Sequence, residues 1–318
     1  MGRRYVYYIS ILLFCLLSGS CGNKRNELEN SLNEKKVIPE SKTPEETAED
    51  NTSDVDIETL NPKVEGDSSA MGKEQEETKL QGNNGVIEAA TLGAYTTQEE
   101  LIMALRQYPA GTELNMTGVM ESRISQFFYM EELSDEVKER ISGKSYGENC
   151  ELPYEELRYI RVLYCAFDGT TRIGELIVNQ AIAQDILDIF RELYGISYPI
   201  EQMLLIDEYD ADDEKSMEAN NSSAFNYRFV AGTTRLSKHS LGWAIDINPL
   251  YNPYITTIDG KKTILPENGS EYADRTKDCP YYIKEGDACY EAFISRGFTW
   301  GGDWKNSKDY QHFEKIVE

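Results

Sequence analysis

The feature that most limits what this chain can fold into is an abrupt change in composition near residue 95. Residues 22–94 contain no Phe, Trp or Tyr, and they carry 17 Asp and Glu against 8 Lys and Arg. Such a stretch buries too little apolar surface to offset the conformational entropy that ordering would cost. We therefore predict a disordered acidic tether over 22–94, with a charged binding arm as the alternative, and a folded part that starts at Tyr95.

The first 21 residues have the pattern of a secretion signal. Arg3 and Arg4 precede an apolar run over residues 5–17, which is short for a membrane span and is followed by small residues just before Cys21. A cysteine in this position resembles the cleavage site of bacterial lipoproteins, where it carries the lipid. We predict an exported protein, anchored to the membrane on its extracytoplasmic side through Cys21. An ordinary signal peptide with an incidental cysteine is the alternative.

The charge of the folded part disfavours one class of partner, and its cysteines indicate whether disulfides form. The region from residue 95 has a net charge of −17, which argues against nucleic acid because phosphate contacts need clustered Lys and Arg. An even number of cysteines after Cys21 in an exported protein predicts two disulfides. Proximity favours Cys150–Cys165 and Cys279–Cys289, although all three pairings remain open.

The hydrophobic periodicity from residue 95 onward predicts short strands mixed irregularly with helices. Helices are expected over about 97–107, 182–195 and 287–295, and strands over 157–167, 174–179, 203–206 and 242–248. This pattern is typical of an α+β domain with a small antiparallel sheet and flanking helices. We divide it into an N-terminal helical and strand subdomain, 95–154, and a main domain, 155–318.

The chain contains only two histidines, and each lies close to an aspartate. Asp246 follows His239 by seven residues, and Asp309 precedes His312 by three. Imidazole and carboxylate are common ligands of catalytic zinc, and three protein ligands leave a fourth position for water. His239, Asp246 and His312 are therefore candidate ligands of one zinc ion per chain, and Asp309 is a candidate general base. The alternative is that both histidines are ordinary structural residues.

These residues resemble a known family, the zinc D-alanyl-D-alanine carboxypeptidases and L-alanyl-D-glutamate endopeptidases. The pattern Ser-x-His-x-x-Gly-x-Ala-x-Asp is met by Ser237, His239, Gly242, Ala244 and Asp246, and the later acid-x-x-His by Asp309 and His312. Aspartate as the base, with the residues at 248–249 and 301–304, resembles the endolysin-like branch. The resemblance covers about 155–318 and implies a hedgehog or D-Ala-D-Ala-peptidase-like fold with a zinc cleft.

The resemblance implies a zinc metallopeptidase that hydrolyses peptide bonds in peptidoglycan stem peptides, as a carboxypeptidase or an endopeptidase, and we expect it to be a monomer. It also implies that Arg228 holds the substrate or stabilises an oxyanion, with Arg235 as a weaker rival. Ser237 would orient His239 from behind. Two other readings remain: an inactive zinc-containing lipoprotein that binds the cell wall, and an enzyme that matures an exported protein.

Overall fold

The computed structural model describes residues 87–88, 95–230, 233–258 and 260–317. The predicted signal segment, Cys21 and almost all of the predicted tether lie outside these residues. Ile87 and Glu88 are the exception, because they form a short strand that pairs in parallel with residues 114–115. The predicted tether therefore extends too far at its C-terminal end.

The described residues form an α+β fold, as predicted. The helices are α1 (Gln98–Arg106), α2 (Glu121–Ile124), α3 (Asp135–Ile141), α4 (Gln180–Gly195), α5 (Asp213–Glu218) and α6 (Ala288–Ile294). The strands are β1 (Ile87–Glu88), β2 (Glu113–Asn115), β3 (Tyr129–Glu131), β4 (Leu157–Cys165), β5 (Thr171–Asn179), β6 (Ala244–Asp246), β7 (Tyr254–Ile258), β8 (Lys261–Leu265), β9 (Thr299–Trp300), β10 (Lys308–Asp309) and β11 (His312–Glu314). None of these helices combines the length and the apolar character that crossing a membrane requires.

The helices predicted from sequence signals are confirmed at their ends. Thr97 and Glu100 form the capping box that starts α1, because each side chain satisfies a backbone N–H that the first turn leaves unpaired. Helix α4 ends at Gly195, and the Asp287 side chain caps α6 by accepting a hydrogen bond from the backbone N–H of Tyr290.

The strand predicted over residues 203–206 is wrong. Met203 and Leu205 are buried, as a strand would require, but the chain there is irregular and enters a 3₁₀ helix over Ile206–Tyr209. The backbone N–H and C=O of Leu204 are bonded instead by the side chain of Asn221, at 2.8 and 3.0 Å. An amide side chain therefore replaces the neighbouring strand that the hydrophobic pattern suggested.

The largest sheet joins the two segments that the sequence analysis separated. Strands β4 and β5 form the predicted hairpin at its centre, and the strand order is β1-β2-β5-β4-β3. The region 95–154 therefore supplies β2 on one side of the hairpin and β3 on the other. Leu101 and Phe127 from this region lie in the same hydrophobic cluster as Ile245 and Phe313 from the main domain. The boundary at 154/155 does not separate two cores.

A buried ion pair adds a polar link across the same boundary. Arg140 on α3 donates two hydrogen bonds to Glu175 on β5, at 3.0 and 2.7 Å. The Glu175 side chain is only 2% exposed, and the Tyr159 hydroxyl also donates to it, at 2.5 Å. A buried carboxylate with this many donors is stable only while its partners remain in place.

Two three-stranded sheets accompany the five-stranded sheet, so the described residues form three sheets where one small antiparallel sheet was predicted. The orders of the two three-stranded sheets are β6-β11-β9 and β10-β7-β8, and all their pairings are antiparallel. Asp309 in β10 and His312 in β11 are separated by two residues, so one short link joins the two sheets. This link brings the residues predicted to do chemistry onto adjoining sheets.

All four cysteines of the folded part are free thiols, so neither predicted disulfide is formed. The pairing of Cys150 with Cys165 is wrong for a geometric reason. Cys150 packs in the cluster that contains Leu157, at the start of β4, whereas Cys165 ends that nine-residue strand. A strand of this length spans roughly 25 Å, while disulfides need Cα atoms within about 7 Å.

Arg161 Nη1 also lies 3.9 Å from Glu175 Oε2. We expect Glu175→Ala to lower the free energy of unfolding by about 3 kcal/mol, because it leaves Arg140 and Arg161 without their buried carboxylate. Urea denaturation of the purified protein measures this. The control is Asp188→Ala, which breaks the half-exposed pair with Arg191 and should cost less than about 1 kcal/mol. Equal losses in the two variants would show that the buried pair does not hold the two segments together.

Candidate metal centre

Strand register places two of the three predicted ligands side by side. In the antiparallel pair of β6 and β11, Asp246 lies directly opposite His312, and opposite residues project from the same face of a sheet. The alternate residues Ile245 and Phe313 are fully buried in the core. The predicted strand around Asp246 is confirmed over a shorter range, and its alternation directs the carboxylate away from the core.

The remaining candidate ligand, His239, lies in a 3₁₀ helix over Lys238–Leu241 that Ser237 caps. The Ser237 hydroxyl accepts a hydrogen bond from the backbone N–H of His239, at 3.3 Å. This contact caps the helix at its backbone, and a role for Ser237 in orienting the His239 ring stays a prediction. Gly242 ends this helix with a φ of +66°. A Cβ at this position would lie 2.5 Å from the backbone nitrogen of Asn179, so only glycine permits the close approach.

The three side chains converge on one point. The distance from His239 Nε2 to His312 Nδ1 is 3.2 Å, that from His239 Nε2 to Asp246 Oδ2 is 3.2 Å, and that from His312 Nδ1 to Asp246 Oδ1 is 3.0 Å. Donors bound about 2.0–2.1 Å from one tetrahedral ion lie roughly 3.3 Å apart. These buried residues form a group that could hold a metal, and their spacing and chemistry fit zinc.

Each imidazole has its remaining nitrogen occupied by a partner. His239 Nδ1 lies 2.5 Å from the carbonyl oxygen of Ala224, and His312 Nε2 lies 3.2 Å from Glu314 Oε2. Such contacts fix the ring orientation and leave the other nitrogen for a metal. Sequence reasoning missed Glu314, although the spacing His-x-Glu in a strand would have placed both side chains on one face.

The pKa values of two of these residues, Asp246 and His312, are strongly shifted. Burial would raise the pKa of Asp246, but His239 and His312 hold it well below its usual range. Burial would lower the pKa of His312, but hydrogen bonds to Asp246 and Glu314 raise it to about 10. In the metal-free protein His312 is therefore protonated near neutral pH, and a metal ion must displace that proton.

Asp309 lies in the same site without being one of the converging donors. Asp309 is half-buried, but its Oδ1 atom is fully buried and has no hydrogen-bond partner among the described residues. Burial raises the pKa of Asp309 to about 7, with His312 lowering it and Asp246 raising it further. A carboxyl group with a pKa near neutral can both accept and return a proton at physiological pH.

A cavity of about 590 Å³ opens onto these residues. Three of its lining residues each carry a buried polar atom without a partner in the described part of the chain: Asp309 Oδ1, Gln311 Oε1 and Arg228 Nε. Buried polar atoms are rarely left unpaired unless water, an ion or a ligand satisfies them. The volume is within the range of cavities that bind small ligands.

Both predicted arginines line this cavity, but only Arg228 is held in place by a carboxylate. Arg228 Nη2 lies 2.8 Å from Asp213 Oδ2 on α5, and the positive charge of Arg228 acts on Asp309. Arg235 is exposed at the cavity wall. Sequence reasoning missed Asp213, because no spacing connects it to the motif residues.

Comparison with known proteins gives one match. A family model described as D-alanyl-D-alanine carboxypeptidase matches residues 231–315, roughly a quarter of the chain. The matched range contains His239, Asp246, Asp309 and His312 and excludes Arg228. The match supports a peptidase of this family, and it leaves the endolysin-like branch as a prediction. No curated protein and no solved structure matches the chain.

We expect the metal-free protein to lose thermal stability as the pH rises from about 6.5 to about 10. The pKa of His312 is raised from about 6.5 in the unfolded chain to about 10 in the fold. The stability that this shift contributes is fully present below pH 6.5 and is lost as pH rises through the folded value. Melting curves after chelation and dialysis measure it. In metal-free His312→Gln the melting temperature should fall less with pH over this range. An unchanged dependence of melting temperature on pH would show that another group causes the loss.

Proposed function

We propose that this protein is a zinc-dependent metallopeptidase that hydrolyses peptide bonds in peptidoglycan stem peptides. The observation that carries the proposal is the convergence of His239, Asp246 and His312 beside the unpartnered carboxyl group of Asp309, in a cavity large enough for a short peptide. The match to a carboxypeptidase family model over the same residues supports the substrate class.

In this proposal separate residues bind the metal, orient the imidazole rings and transfer the proton. His239, Asp246 and His312 hold the zinc, and Ala224 and Glu314 fix the two rings. Zinc bound there would polarise the peptide carbonyl and lower the pKa of a water molecule. Asp309 accepts the proton of the attacking water and delivers it to the leaving amine, which its raised pKa permits.

Arg228 is proposed to bind a carboxylate or the developing oxyanion of the substrate. Its guanidinium lines the cavity, and Asp213 holds one end of it while Nε remains unpartnered. An arginine fixed in this way can donate charge-assisted hydrogen bonds without first having to be ordered. Arg235 is exposed and lacks such a fixed partner among the described ion pairs.

Three further predictions from the sequence complete the proposal. The chain is exported, is anchored to the membrane through a lipid on Cys21, and acts as a monomer on the wall. An inactive wall-binding lipoprotein is the less favoured candidate, because a metal kept only for shape has no use for an Asp309 carboxyl group with a buried, unpartnered oxygen beside it. Zinc content together with digestion of purified muropeptides, followed by mass spectrometry, tests the proposal and identifies the bond.

We expect Asp309→Ala to keep about one zinc per chain while its turnover of muropeptides falls by about 10²- to 10⁴-fold, the usual contribution of a general base. Metal analysis and initial rates measure the two effects separately. His239→Ala is the matched variant and should lose zinc and activity together. Loss of zinc from Asp309→Ala would make Asp309 a ligand, and near-normal turnover would place the base elsewhere.

We expect Gly301→Ala to reduce turnover without removing zinc. A Cβ at Gly301 would lie 2.6 Å from the carbonyl oxygen and 2.7 Å from the Cβ of Asp309, so the base must shift away from its position. Gly195→Ala is the control, because no atom lies within 4 Å of its added Cβ. The same kinetics in both variants would show that the position of Asp309 tolerates the displacement.

A further inference from the structure

A row of three residues crosses the sheet β10-β7-β8 and lines the cavity. Asp309 on β10 lies opposite Tyr254 on β7, and Tyr254 lies opposite Leu265 on β8. Opposite residues of antiparallel strands project from the same face, and all three side chains line the cavity. The row therefore runs from the proposed base, across an aromatic ring, to an aliphatic side chain.

A second apolar residue of the cavity lining lies on an element bonded to the end of this row. Met217 on α5 also lines the cavity. The segment that follows Leu265 is bound to α5, because Asn268 Nδ2 donates a hydrogen bond to the carbonyl oxygen of Glu218, at 3.2 Å. Leu265 on β8 and Met217 on α5 thus line one cavity, and a hydrogen bond links α5 to the segment that follows β8. Burial of a small aliphatic group between them would be favourable.

The length of the row gives the length of the ligand. Neighbouring strands lie about 4.8 Å apart, so Asp309 and Leu265 are separated by roughly 10 Å, which is close to the span of three residues of an extended peptide. On the basis of the proposed function, we propose that the cavity selects peptides that extend about three residues to one side of the cleaved bond. An apolar side chain at the third residue is received by Leu265 and Met217, and Tyr254 lies along the residues between.

The experiment uses two series of synthetic stem-peptide fragments with the same cleaved bond, lengthened one residue at a time on its N-terminal or its C-terminal side. For wild type we expect kcat/KM to rise by about tenfold when the third residue is added on one side, the usual effect of a small group in an apolar pocket. Replacing that residue by aspartate should remove the gain. Leu265→Ala should also remove it, and should leave the shorter peptides within about twofold of wild type.

Ile264→Ala is the matched control, because Ile264 is the adjacent residue of β8 and projects from the opposite face. It should keep the gain from the third residue. The inference is overturned if wild type shows no dependence on length, or if Leu265→Ala lowers kcat/KM equally for every length. If wild type cleaves no peptide of either series, the proposed function itself fails, and that result is recognised from the wild-type measurement alone.

Discussion

The antiparallel pairing of β6 with β11 is the constraint on which the candidate site depends. It brings Asp246 and His312, which are 66 residues apart in the chain, to opposite positions on one face. On the other face Ile245 and Phe313 enter the core, and Phe313 stacks on Phe293 of α6 with ring centroids 4.1 Å apart. A slip of one residue would exchange the faces and bury both polar side chains in the core. The apolar packing therefore fixes the register, and the register fixes two of the three candidate metal-binding donors.

The rest of the fold supports this pairing through one continuous core. The region 95–154 flanks the central hairpin on both sides, and its apolar side chains lie in the same cluster as the residues behind β6 and β11. Gly242 lets the loop of His239 lie directly against the backbone of Asn179 at the end of β5, so the ligand-bearing loop contacts the large sheet. We infer that this region contributes to the site by holding the sheet that supports it.

Local sequence signals predicted most of the helices and strands well, because each of these elements depends on neighbours in the chain. The cap at Thr97, the β4–β5 hairpin and the cap at Asp287 all follow from side-chain chemistry within a few residues. The same reasoning failed for residues 203–206, where Asn221 supplies the hydrogen bonds of a missing strand. It also failed for Cys150 and Cys165, which are close in sequence but lie near opposite ends of one long strand.

The sequence by itself determined which residues can do chemistry, since two histidines and their nearby aspartates are the sole set with metal-binding spacing that includes imidazole. It also determined the class of the fold through its hydrophobic periodicity. Only the tertiary structure decided what surrounds these residues: Ala224 and Glu314 behind the imidazoles, Asp213 beside Arg228, and Tyr254 with Leu265 along the cavity. The physical reason is that these contacts arise from strand register and loop packing, which no local spacing encodes. The burial that moves the pKa of Asp309 likewise exists only once the core has formed.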